Sequence, residues 1–227
     1  DVTQINMDGL PCPGTPTVTD IDDNVYNTVM IGTQCWMKEN LKTTRWADNT
    51  PIPLGDTTSY TAPFRYMPNN DLELVSEYGY LYNWNAVMHD ALPSAANPSG
   101  VQGVCPDGWH VPSDAEWVQL TDYVKSRSEY ACINSSGIEK FAKSLAANYG
   151  WLPCSSDCAV GNDLGDNNIT GFSAIPAGTH QLSGTAAYGF TAFFWTTTAY
   201  ENFTAWSHYL YYCNGDDRED LDSGKDL

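Results

Sequence analysis

Cys105–Lys125 reads CPDGWHVPSDAEWVQLTDYVK and carries a cysteine, a turn, an extended run and a helix start in quick succession. Pro106-Asp107-Gly108 is turn chemistry, because proline presets φ and glycine accepts a positive φ. Trp109-His110-Val111 then predicts a short strand, ended by Pro112, which cannot donate to a ladder. Ser113 and Glu116 have the S-x-x-E spacing of a capping box, in which each side chain satisfies the other's backbone amide. Asp114 and Glu116 stand where the helix dipole favours negative charge. Trp117, Leu120 and Val124 recur at i, i+3 and i+7, so one helical face is apolar. The stretch therefore predicts an amphipathic helix lying on a core. His110, alone beside a tryptophan, is expected to be a satisfied polar residue rather than a ligand.

Toward the N-terminus, Asp1–Pro16 reads as an arm: DVTQINM has strand propensity and PCPGTP is a stiff connector. TVTDIDDNVYNTVMIG, from Thr17, predicts a hairpin turning at Asp22-Asp23-Asn24. Its acidic spacing resembles half a calcium loop but lacks the following Gly and the bidentate Glu, so a polar turn is expected. Cys35–Leu41 predicts another strand and a turn. Thr43–Asn70 has little periodicity and predicts a long surface excursion. Tyr80, Leu81, Trp84, Val87 and Met88 have helical spacing, which predicts a helix over Leu81–Met88.

Toward the C-terminus, Ile138, Phe141, Ala142 and Leu145 predict a second amphipathic helix within Gly137–Asn148. Strands are predicted over Phe172–Pro176, Phe190–Thr198 and Phe203–Tyr212, the last alternating Trp206, His208, Leu210 and Tyr212 against Ser207, Tyr209 and Tyr211. Asn214–Leu227 is acidic and predicts a weakly ordered tail. No repeat or linker divides the chain, so it reads as one α+β domain behind an arm.

The 227 residues carry a formal net charge of -18, with 28 Asp+Glu against 10 Lys+Arg. Nothing here would neutralise phosphates, so nucleic acid is excluded as a partner, and docking on anionic lipid is excluded for the same reason. No apolar run approaches a spanning length. Asp1 reads as a mature N-terminus after cleavage of a leader. Seven cysteines at irregular spacing, without paired CxxC knuckles, predict disulfides formed in an oxidising compartment. A secreted or cell-surface location follows as the expectation.

VTDIDDNVYNTVMIGTQCWMKENLKTT, YGYLYNWNAV, CPDGWHVPSDAEWVQLTDYV, GFSAIPAG and FFWTTTAYENFTAWSHYLYY, in that order, resemble the Fibrobacter succinogenes major paralogous domain family over Thr17–Leu227. The resemblance implies a C-type-lectin-like fold, with two main helices, antiparallel strands, long loops and disulfides, related to the formylglycine-generating enzyme domains. It implies secreted and surface proteins of bacteria, many of them Bacteroidetes, with no general activity attached. Members usually end in a G-L-S-V-R-C-V strand after S-G-K-D-L, whereas this sequence stops at Ser223-Gly224-Lys225-Asp226-Leu227. The resemblance thus leaves Cys105 unpaired within this chain, its partner being the cysteine of that strand. The expected pairs are Cys12–Cys35, Cys132–Cys158 and Cys154–Cys213, although six cysteines allow fifteen connectivities. The missing strand has two readings: residues lost or unplaced, or a vacancy filled by another chain's arm.

No catalytic constellation emerges. Gly171-Phe172-Ser173-Ala174-Ile175 lacks the second glycine of a nucleophile elbow. His89, His110, His180 and His208 are far apart and show no zinc spacing. No phosphate-cradling loop is present. The sugar-binding lectin tripeptides and the context of the formylglycine-generating cysteine pair are absent, so neither activity carries over. The expectation is therefore a non-enzyme without cofactor or metal. Phe194 and Tyr200 belong to a C-terminal aromatic cluster in which Trp195, Tyr200, Trp206, Tyr209 and Tyr211 are the candidate ligand-binding residues, with Tyr200, Tyr209 and Tyr211 expected outermost. Three functions follow in order. The first is an adhesion or ligand-binding domain for a glycan or surface protein. The second is a filament or pilus subunit self-associating through the arm. The third and weakest is an enzyme of the formylglycine-generating type.

Overall fold

The computed structural model describes residues 7–181, 184–202, 204–216 and 218–224 of the chain. It is α+β, sheet-rich and poor in helix. One three-stranded antiparallel sheet joins β1 (Thr17–Thr19), β2 (Val25–Ile31) and β3 (Gln34–Met37) in that order. Two-residue strands β4 (Arg65–Tyr66) and β5 (Leu81–Tyr82) pair with each other, as do β6 (Cys132–Ile133) and β7 (Glu139–Lys140). A further hairpin joins β8 (Thr179–Gln181) and β9 (Gly184–Ala186). The second three-stranded sheet has the order β10 (Thr191–Glu201), β11 (Thr204–Tyr211), β12 (Arg218–Gly224). Helices are α1 (Val75–Tyr78), α2 (Trp84–Met88), α3 (Asp114–Lys125) and α4 (Ala142–Leu145).

α3 forms as its signals require. The Ser113 side chain accepts from the Glu116 amide at 3.3 Å, and the Glu116 carboxylate accepts from the Ser113 amide at 2.9 Å. Trp117, Leu120 and Val124 are buried on one face, against Val29 and Ile31 of β2, Leu145 of α4, and Ala192 and Leu210 of β10 and β11. Each such side chain contributes about 1.5–3 kcal/mol through burial. A second cluster holds Trp46, Ile52, Val87, Val104 and Val111, and a third holds Trp84, Met88 and Ala205. α2 is tied to β10 by the Trp84 indole, which donates to the Thr196 carbonyl at 2.9 Å.

The disulfides are Cys12–Cys35, Cys132–Cys158 and Cys154–Cys213, and Cys105 is free and buried. This is the expected connectivity, and it points to folding in an oxidising compartment. Among the described residues no helix is long and apolar enough to cross a membrane.

Several expectations need correction. Trp109–Val111 forms no ladder; its regular contact is one bond from the Val111 amide to the Val101 carbonyl at 2.8 Å. The helix expected over Leu81–Met88 begins only at Trp84, because Leu81–Tyr82 pair with Arg65–Tyr66 and Asn83 caps the helix by accepting from the Ala86 amide. The second predicted helix shrinks to Ala142–Leu145. Glu139–Lys140 are drawn into a hairpin, and Ala146 forms a parallel bridge to Ala174. That bridge is all that exists of the strand predicted over Phe172–Pro176, where Ser173 sits at φ 65. Thr43–Asn70 is no loose excursion, since Trp46 and Ile52 are buried in it and the Trp46 indole donates to the Ala86 carbonyl at 2.9 Å. Finally, the acidic tail is a strand over Arg218–Gly224, antiparallel to β11. Composition mispredicted it because a ladder needs only backbone groups at its edge.

Candidate functional site

A cleft of about 680 Å³, a size typical of ligand sites, opens among the described residues. Its walls are β3, through Gln34–Met37, and β10, through Phe193–Trp195. The segment Cys105–Pro112, β5 and Ile175–His180 close its remaining sides. The floor is aromatic. Trp117 of α3 lies 5.1 Å from Trp36 and 5.0 Å from Phe194, and Phe172 meets all three edge-on at 5.7–5.8 Å. Such edge and tilted contacts add to the area the rings bury.

Two ionisable groups at the cleft wall engage each other. His110 contacts the Glu116 carboxylate at 2.7 Å, and this bond raises its pKa against the opposing effect of burial. Burial alone would raise the Glu116 pKa, but hydrogen bonds from His110, Ser113 and Ser99 outweigh it and hold the carboxyl below its usual value. One Glu116 oxygen accepts from the amides of Ser99 at 3.0 Å and Ser113 at 2.9 Å, which ties the two loops to the helix start. His110 is thus a satisfied polar residue, as expected, but at the cleft wall instead of inside a strand. Burial pushes the Cys105 thiol up to about 12, so it is no ready nucleophile. His180 also lines the cleft, stacks on Tyr66 at 3.8 Å, and has its pKa lowered by burial.

The five aromatic candidates do not form one surface. Trp195 lines the cleft, and its indole donates to the Tyr82 carbonyl at 3.0 Å. Tyr209 lies on the neighbouring strand, stacked on Phe193 at 5.9 Å. Tyr211 is more than a third exposed and packs edge-on against Tyr212 at 4.8 Å. Tyr200 and Trp206 meet edge-on at 6.1 Å near the far end of the hairpin, where Tyr200 is 53% exposed. Of the five, only Trp195 contributes to the cleft; Tyr209 reaches it indirectly through Phe193. Sequence reasoning missed Trp36, Trp109, Trp117, Phe172 and Phe193 as lining residues, and their shared signal was only a high aromatic content.

The acidic hairpin turn is closed on itself. Asp20 accepts from the amides of Asp22 and Asn24 and from the Tyr26 hydroxyl, and Asp22 accepts from Thr44 and Arg45. Among the described residues no group of three His, Cys, Asp or Glu is placed to hold a metal ion. The arm from Met7 onward is also engaged within the molecule. Gly9 donates to Met30 at 3.0 Å and Met30 to Leu10 at 2.8 Å, so it runs beside β2 on the side away from β3. The Asp8 carboxylate accepts from Tyr123 and Tyr130, each at 2.6 Å. The rest of the proposed self-associating arm, residues 1–6, lies outside the described residues.

The sequence model of the Fibrobacter succinogenes major domain matches residues 29–221, and the chain belongs to that family. No curated protein and no solved structure matches the chain.

Proposed function

We propose that this member of the Fibrobacter succinogenes major domain family is a secreted or cell-surface binding domain of the adhesion type, without catalytic activity, whose ligand enters the β3–β10 cleft. The observation that carries the reading is the 680 Å³ cleft with an aromatic floor, because concave apolar sites with a few placed polar groups are where ligands bind. We read the scaffold as C-type-lectin-like, with long loops positioning the cleft. A binding role is supported further by the state of the reactive groups. Glu116 is spent on loop amides, and the one free thiol among the described residues is buried and protonated. With six of seven cysteines in disulfides, a copper-binding cysteine pair has little support. The docking of Met7–Pro16 within the molecule weighs against the filament reading.

The test is a titration of the purified domain with arrayed glycans and peptides, read by tryptophan emission, since Trp36, Trp109, Trp117 and Trp195 all line the cleft. A saturable shift that weakens at least about tenfold in Trp109→Ala is expected. Uniform silence, or binding indifferent to that substitution, refutes the reading.

A further inference from the structure

A second, much smaller cavity, of about 10 Å³, shares Trp117, Phe172 and Phe194 with the cleft floor. His208 of β11 and Thr121 of α3 also border it. His208 and Trp117 are 2% and 4% exposed, so bulk solvent does not serve their ring nitrogens. The His208 Nε2 lies 3.0 Å from the Asp114 carboxylate, and an ionised carboxylate only accepts, so Nε2 carries a proton. Nδ1 of the neutral ring is then a bare lone pair. Among the described residues neither His208 Nδ1 nor the Trp117 indole N–H has a hydrogen-bond partner. The two cannot serve each other. Their rings are stacked at 5.0 Å and lie 12° from parallel, and the lone pair and the N–H each lie in the plane of their own ring.

A buried donor beside a buried acceptor asks for a molecule that is both. Water accepts from the indole and donates to the imidazole from one position. A cavity of this size has room for one water, which needs about 10–15 Å³. At about 2.9 Å per bond, one water spans a gap of up to about 5.8 Å, which covers a gap of the order of the 5.0 Å between the rings. Its second hydrogen has an acceptor in the buried Thr121 hydroxyl, which donates to the Val118 carbonyl at 3.2 Å and keeps its lone pairs free. Three bonds are the usual complement of a buried water. Two buried nitrogens left unpaired cost more than the ordering of one water molecule.

We infer that this cavity is a binding site for one ordered water, which accepts from the Trp117 indole N–H, donates to His208 Nδ1 and the Thr121 hydroxyl, and so ties α3 to β11 within the core. Asp114 holds the imidazole from its other nitrogen, so α3 grips the ring twice, once directly and once through the water. The Trp117 ring, which the cleft floor is built on, is thereby held by a hydrogen bond as well as by packing. The site stands whatever the cleft binds, because its polar partners belong to α3 and β11 alone.

The experiment joins a high-resolution crystal structure of the full chain to water-selective NMR on the isotope-labelled protein. One density peak within hydrogen-bond reach of His208 Nδ1, Trp117 Nε1 and Thr121 Oγ1 is expected. So is a long-lived water contact at the Trp117 indole proton, which the Trp84 indole lacks because it donates to the Thr196 carbonyl. Thr121→Val removes the hydroxyl at nearly constant volume and is expected to shorten the water's residence about fivefold in magnetic relaxation dispersion. His208→Phe keeps a ring against Trp117 and is expected to abolish the peak. Should that variant fail to fold, the parent protein and Thr121→Val decide between the outcomes. An empty cavity, a peak in reach of one nitrogen only, or a Trp117 indole without a water contact overturns the inference. A residence unchanged in Thr121→Val, or a peak that survives His208→Phe, overturns the three-bonded site.

Discussion

Glu116→Ala isolates what one buried carboxylate does for the cleft wall. Its side chain accepts from the amides of Ser99 and Ser113 and contacts His110, and the residue is 7% exposed. Alanine leaves two buried N–H groups without an acceptor, at about 1–3 kcal/mol each, for a total of about 4 kcal/mol. Glutamine keeps an oxygen for both amides and loses only the strengthening that charge gives, about 1 kcal/mol. With a urea slope of about 2–3 kcal/mol per molar, the unfolding midpoint falls by roughly 1.3–2 M in Glu116→Ala and by at most about 0.5 M in Glu116→Gln. The pH dependence follows in sign. The depressed Glu116 pKa gives stability above the ordinary carboxyl value that is lost as pH falls through the folded one. The raised His110 pKa gives stability below the ordinary imidazole value that is lost as pH rises through the folded one. The parent's margin over Glu116→Gln is therefore widest between roughly pH 4.5 and 6.5 and narrows on both sides. Urea titrations across pH 4–8, with NMR titration of His110, measure this. A Glu116→Ala midpoint within about 0.3 M of the parent, or a His110 pKa unmoved in Glu116→Gln, refutes the reasoning.

Three further outcomes are expected. Asp8→Asn weakens the anchor under Tyr123, Tyr130 and Gly32 by about 1–2 kcal/mol. Burial alone would raise the Asp8 pKa, but those three bonds outweigh it and lower it, so the parent loses stability as pH falls through the folded value and Asp8→Asn does not; melts between pH 3 and 7 test this. Removing both Cys154 and Cys213, which close a separation of 59 residues, costs up to about 4 kcal/mol, or roughly 10 °C in Tm by calorimetry. Gly103→Ala drives a Cβ into the Val87 carbonyl and prevents proper folding, whereas Gly108→Ala, with open space but φ 81, loses only about 1 kcal/mol by urea unfolding.

Local chemistry was legible wherever it was sufficient. The Ser113–Glu116 box and the apolar face behind it place α3 within a residue, because both halves of the signal lie in one turn. β11 was legible for the same reason, since alternation runs along the strand, and β10 as a run of aromatic residues and threonines. Glu139–Lys140 and Leu81–Tyr82 were misread because pairing with Cys132–Ile133 and Arg65–Tyr66 overrode helical spacing, and no local pattern announces a partner. The cleft was the least legible feature. It is lined by β3, β10 and the loop before α3, which lie far apart along the chain, and no local pattern announces that they meet. The candidate aromatics were chosen by density along the chain, which put Tyr200 and Trp206 together but separated Trp195 from Trp36 and Trp117.

Trp117 and Phe172 each touch Trp36 on one wall and Phe194 on the other, so a pair of rings braces the two sheets like a shared footing. The hydrogen-bonded cap at Ser113 sets where the first of these rings stands on α3. A smaller ring at position 117 would leave Phe172 to brace the walls alone. The same helix start that directs folding thereby also lays the base on which the cleft is built.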